Sequence, residues 1–97
     1  MRVIARATLR EFWRKHADAE QPLRVWYEEA KRSEWNSPED IASLHSNASI
    51  LANNRVVFNI KGNDYRLVVA IHFNRSIVYV RFVGTHAEYD RINAETV

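Results

Sequence analysis

From Arg55 to Ile92 the chain reads RVVFNIKGNDYRLVVAIHFNRSIVYVRFVGTHAEYDRI. Three runs rich in Val, Ile, Phe and Tyr, at Val56–Ile60, Tyr65–Phe73 and Ile77–Val83, carry strand-forming residues, and the only two glycines, Gly62 and Gly84, punctuate them. Lys61-Gly62-Asn63-Asp64 is a short connection whose residues tolerate positive φ, and Asn74-Arg75-Ser76 joins the next pair, so both read as hairpins. The pattern predicts three consecutive antiparallel strands, then a polar T-H-A-E-Y-D turn into a short helix.

Alternation in the second run assigns its faces. Tyr65, Leu67, Val69, Ile71 and Phe73 point one way and are expected under helices; Arg66, Val68, Ala70 and His72 point the other way, onto an expected partly open, concave surface. Between Asn53 and Val83, five basic residues (Arg55, Lys61, Arg66, Arg75 and Arg81) face one acid, Asp64, an excess of four positive charges, although the whole chain carries only +2. An excess confined to one sheet points to a polyanionic partner. Five solvated cations falling together is the plain alternative.

Working outward, the 97 residues suit one domain, 1–97, with one core. No apolar run approaches the ~20 residues of a membrane span. Cysteine is absent, which excludes disulfides, thiolate metal sites and a cysteine nucleophile. The beginning, MRVIARATLREFW, has no apolar signal core, so a cytoplasmic location is expected.

Residues 2–5 form a short apolar start suited to an edge strand. Thr8 and Glu11 have capping-box spacing, and Leu9, Phe12, Trp13 and His16 follow at helical period, which predicts a helix over about Thr8 to Asp18. Pro22 suits the first turn of a second helix with Leu23, Trp26, Tyr27 and Ala30 as its apolar stripe. Ser37-Pro38-Glu39-Asp40 opens a third with Ile41 and Leu44 inward, and residues 45–54, HSNASILANN, read as a connecting loop. The fold class is α+β: N-terminal helices packed on a small, mainly antiparallel sheet, with a short C-terminal helix.

Two segments, VVFNIKGNDYRLVVAI and VRFVGTHAEYDRI, taken with the preceding helices, resemble the HigB toxin family, and the likeness covers nearly the whole chain. HigB-like proteins are similar to the wider RelE group of mRNA interferases. The resemblance implies the toxin of a type II toxin-antitoxin pair: an endoribonuclease that cuts mRNA on the ribosome without a metal or other cofactor. Its implied partners are a HigA-like helix-turn-helix antitoxin, ribosome-bound mRNA and, through the antitoxin only, operator DNA. Arg66 matches the arginine of the family's YRLV-type strand, and His86 and Tyr89 fall where such toxins keep catalytic groups. The RelE pattern has more Lys and Arg in these places than this chain.

Cleavage by an internal 2′-OH needs a base, an acid and cations for the phosphorane charge. Arg66, Lys61 and Arg81 can supply cations, and an arginine fork fits two phosphate oxygens. His86, with an unperturbed pKa of about 6.5, can move protons. Tyr89, three residues on, can stack on a base or donate to phosphate. Arg66, His86, Tyr89 and Lys61 are the expected catalytic set, and Arg55, Arg81, Arg75 and Asn63 the expected RNA-binding set. Each has a plainer reading: a salt bridge of Arg66 to Asp64 or Asp90, helix capping by His86, packing by Tyr89. His86, Glu88 and Asp90 lack an established metal spacing, so no metal is expected. Two other functions compete: a non-catalytic RNA- or ribosome-binding module, and a subunit whose sheet binds an acidic peptide.

Overall fold

In the computed structural model, which describes all 97 residues, five strands form one sheet in the order β1-β5-β4-β3-β2. In chain order the elements are β1 (Arg2–Ile4), α1 (Arg6–Lys15), a 3-10 turn (Ala17–Ala19), α2 (Glu20–Arg32), α3 (Pro38–Leu44), β2 (Ser49–Ile50), β3 (Arg55–Ile60), β4 (Tyr65–His72), β5 (Ile77–Thr85) and α4 (His86–Tyr89). The meander β3-β4-β5 is antiparallel, as its runs predict, and β1 adds to β5 as a parallel edge. Lys61 and Gly62 turn the first hairpin with positive φ, 51° and 63°, and Ser76 does so after the second, at 55°.

Burial follows the alternation on one side. Leu67, Val69 and Ile71 are fully enclosed against Leu9, Phe12, Trp13, Leu23 and Trp26 of α1 and α2. These helices are amphipathic on the predicted stripes, and removing a buried leucine from such a core costs about 2–5 kcal/mol.

The other side departs from expectation. Val68 and Ala70 are 0% and 4% exposed, so this face is not an open concave surface. Residues following α4 fold back over it: Ala94 packs with Val57 and Val68, and Ile92 and Val97 close around them together with Phe82 of β5 and Tyr89 of α4. Apolar residues at the tail's scattered positions 92, 94 and 97 show no strand or helix period, so nothing in the sequence pattern announces this return.

Three smaller expectations are also corrected. The first helix begins at Arg6 behind Ala5, with no side-chain cap, so Thr8 already lies inside it and cannot cap. The T-x-x-E capping box is made instead by Thr85 and Glu88 at α4, in both directions. Leu44 is 66% exposed where an inward contact was expected. Within 45–54, Ser49 and Ile50 pair with Val57 and Val56 as the short edge strand β2.

One polar junction ties the helical layer to the first hairpin. Asp18, in the 3-10 turn between α1 and α2, accepts from Lys61 Nζ at 2.5 Å and from the Tyr65 hydroxyl. The bonds from Lys61 and Tyr65 hold the Asp18 carboxyl below its ordinary range, and the same carboxylate raises the Lys61 and Tyr65 pKa values. A depressed carboxyl contributes stability above its unfolded pKa and loses it as pH falls through the folded one; raised Lys61 and Tyr65 contribute below their unfolded values and lose that at alkaline pH. Asp18→Asn is therefore expected to melt below wild type at pH 7. The gap in Tm should close as pH falls below the ordinary carboxylate value of 3.8. Melts from pH 2 to 8 check this, and a gap that persists at pH 2 would show that Asp18 acts by something other than its charge.

Candidate active site

Register brings the sequence-predicted residues to one end of the sheet. Arg66 faces Gly84 across β4 and β5, and Tyr65 faces Thr85, so the end of β5 and the whole of α4 stand beside the β3-β4 turn. The His86 amide donates to the Asp64 carbonyl at 3.2 Å, fastening α4 to that turn. A side chain at Gly84 would meet Phe82 Cζ at 2.5 Å and Glu88 Oε1 at 3.1 Å, so the Phe82 ring of the same strand and the Glu88 carboxyl of α4 occupy the space a Cβ would need.

Arg66 is half-buried and its guanidinium carbon lies 5.9 Å from the Tyr89 ring centroid. Nη1 donates to the carbonyls of Asn63 at 3.0 Å and Tyr65 at 3.2 Å. Neither acid proposed as its salt-bridge partner is engaged with it: Asp64 pairs with Lys61 at 3.5 Å, and Asp90 lies 3.2 Å from His86 Nδ1. Capping of α4 falls to Thr85 and Glu88, which leaves the exposed His86 imidazole free of that task. Tyr89 packs against the Val57–Val68–Ala94 cluster while its ring receives Arg66, so one ring serves both the core and the cation.

Lys61 sits on the neighbouring turn, paired to Asp18 and Asp64. Its raised pKa makes it a fixed cation and not a proton acceptor. Asn63 Oδ1 accepts from Asn59 Nδ2 at 3.3 Å.

The remaining RNA-binding candidates lie apart. Arg55 donates to the Asn53 and Val97 main-chain oxygens, and Arg81, the extra residue where the β4-β5 register shifts, donates to the same Val97 oxygen at 3.1 Å. Both are engaged in holding the tail. Arg75 is exposed in the turn at the opposite end of β4, roughly 20 Å from Arg66 at the usual strand rise.

Sequence reasoning missed His16, which read as an isolated structural histidine. Its ring stacks on Phe12 at 4.5 Å and lies 5.4 Å from the Tyr65 ring. With Thr8, Glu11, Lys15, Val83 and Glu88 it lines a groove of about 250 Å³ between α1, β5 and α4. The Thr85 amide chiefly holds the Glu88 carboxyl below its ordinary range, against some burial, and His16 and Lys15 add to the lowering. Nothing local in the sequence signals a contact spanning some fifty residues. No three His, Asp or Glu side chains converge as metal ligands would.

This arrangement offers a chelating cation, an exposed imidazole beside a carboxylate and an aromatic ring within one small area, which suits chemistry on a phosphodiester. No helix is long and apolar enough to cross a membrane. The chain is 27% identical over 94 residues to a protein of Escherichia coli O6:H1 named mRNA interferase HigB, covering 95% of this chain and 91% of that one. A family model described as HigB_toxin, RelE-like toxic component of a toxin-antitoxin system, matches residues 19–92. With that match spanning most of its length, the chain belongs to the HigB toxin family.

Proposed function

We propose that this protein is a ribosome-dependent, metal-independent mRNA endoribonuclease, acting in the cytoplasm and neutralised by a helix-turn-helix antitoxin. The observation that carries the reading is the contact of Arg66 with Tyr89 beside the His86–Asp90 pair that spans the single turn of α4. In the proposed reaction a base removes the 2′-OH proton, O2′ bonds to phosphorus, the P–O5′ bond breaks and an acid protonates O5′. The products are a 2′,3′-cyclic phosphate and a 5′-OH. Arg66 stabilises the phosphorane oxygens, Lys61 adds positive potential, and His86, oriented from Nδ1 by Asp90, moves a proton through Nε2. Tyr89 fixes Arg66 and offers its ring or hydroxyl to the substrate.

Arg66→Ala is expected to lower the cleavage rate on the order of 100- to 1,000-fold, as loss of a preorganised charge donor does. His86→Ala should cost about 100-fold if the imidazole transfers a proton. Tyr89→Phe keeps the ring, so a loss there assigns a role to the hydroxyl. Cleavage of ribosome-bound mRNA by the folded variants, with thermal melts in parallel, is the measurement. Wild-type rates in all three would exclude these residues, and an inactive wild type that still binds ribosomes would favour the non-catalytic binding module.

Because the second sheet face is closed by the chain's own tail, we place the antitoxin's inhibitory contact at the β4-β5-α4 end and not on the face. Expression of the chain alone should arrest growth, and co-expression of the adjacent helix-turn-helix protein should restore it. Normal growth with confirmed folded toxin would sink the toxin reading.

A further inference from the structure

The chain reversal between β3 and β4 carries polar bonds that reach into the candidate site. The Asn63 and Tyr65 carbonyls accept from Arg66 Nη1 at 3.0 and 3.2 Å, and the Asp64 carbonyl accepts from the His86 amide at 3.2 Å. The residues given the cation and proton-transfer parts therefore both hang on three consecutive main-chain oxygens. Whatever fixes this segment fixes them. Lys61 opens the reversal at a φ of 51°, a left-handed conformation that a residue with a Cβ keeps only where its surroundings hold it. Within the hairpin, the Asp64 amide donates to the Lys61 carbonyl at 3.2 Å and Asn59 Nδ2 donates to Asn63 Oδ1 at 3.3 Å.

The hold from outside the hairpin comes from Asp18. One of its carboxylate oxygens takes Lys61 Nζ at 2.5 Å and the other takes the Tyr65 hydroxyl, so a single side chain of the helical layer grips residues on either side of Asn63 and Asp64. Tyr65 is buried and packs edge-on against Phe12 of α1, which anchors that arm in the core. Asp64 Oδ2 adds a longer contact to the Lys61 ammonium, at 3.5 Å. Two carboxylates sharing one ammonium limit the positive potential that Lys61 offers a phosphate.

We propose that Asp18 is a positioning residue for RNA cleavage: through Lys61 and Tyr65 it fixes the β3-β4 turn, whose carbonyls aim Arg66 and fasten His86. The inference rests on the cleavage site proposed above and deepens it, giving Lys61 a mechanical part beside its charge. Asp18 itself bonds to neither Arg66 nor His86. Misplacing a reacting group by about 1 Å can cost on the order of 100-fold in rate, so a loosened turn is read in kcat.

The test compares Asp18→Asn, Lys61→Met and the double variant in cleavage of ribosome-bound mRNA, at a temperature where melts show each to be folded. Each single change is expected to lower kcat about tenfold or more with KM within about threefold of wild type. The double variant should be no slower than the slower single, because the two residues act together. If Lys61 worked by charge alone, Asp18→Asn would free it and raise kcat or lower KM. That result would overturn the proposal, as would unchanged kcat in the folded variants or losses that multiply in the double variant. Hydrogen exchange of the His86 amide needs no cleavage: in both single variants it should quicken about tenfold relative to amides in the middle of β4, and unchanged protection would overturn the route through the turn. Ile41→Val, a core change in α3, should lower Tm and leave kcat alone; an equal fall in kcat there would reduce the Asp18 effect to lost stability and overturn the proposal. Arg66→Ala and His86→Ala, run alongside, separate the two readings. Wild-type rates in both would remove the cleavage site and the positioning role with it, whereas losses in both with unchanged Asp18 and Lys61 variants would remove the positioning role alone.

Discussion

Burial of strand β4 on both faces is the constraint from which the rest of the molecule follows. Leu67, Val69 and Ile71 need the helices and Val68 needs the tail, so α1, α2 and the tail residues Ile92, Ala94 and Val97 are all committed to covering one eight-residue strand. Net folding free energies of about 5–15 kcal/mol leave little margin against a buried truncation worth about 2–5 kcal/mol. With both faces closed, polar chemistry is displaced to the strand's ends. Arg66 is the one half-buried residue in a run otherwise buried from Tyr65 to Ile71, and it marks where the strand meets solvent.

What was legible in the sequence is what depends on short-range period. Alternation at Tyr65–Phe73 identified the helix-covered face, and the turn residues at Lys61–Asp64 located the hairpin, because strand pleat and positive φ are local properties. The tail's return over Val68 was not legible, since it depends on three apolar residues without a period. Nor could spacing choose between two T-x-x-E motifs. Thr85 stands at the boundary between β5 and α4, whereas Thr8 falls after the chain has already entered α1. A cap needs a residue with non-helical backbone, and Thr8 does not have one.

That the candidate residues lie close together was more legible than their individual partnerships. His86 and Tyr89 share a short helix and Arg66 lies across from Gly84, so neighbours in the meander stay neighbours in space. Lys61 is different. It reads as a free cation, but its carboxylate partner comes from a turn 43 residues earlier. Arg55 and Arg81 likewise read as free and hold a chain segment instead. Counting charges therefore overstated how many free cations the sheet offers.

The geometry of Arg66 shows why that residue, among the sheet's cations, is suited to phosphate. Its guanidinium has five N–H donors, of which the two on Nη1 are directed to main-chain carbonyls. The Nε and Nη2 donors remain as an unspent edge, a fork with the spacing of two phosphate oxygens. The Tyr89 ring limits rotation of the plane, so the fork is aimed before substrate arrives and less side-chain freedom is lost on binding. Arg66 and Tyr89 consequently act as one unit: removing the ring would loosen the cation even if tyrosine never touched RNA. Arg81 lacks this arrangement, since its Nε is bonded to Val97 and no ring orders its plane. Preorganisation of the donor edge, and not the local density of positive charge, distinguishes Arg66 from the cations bound up in holding the chain.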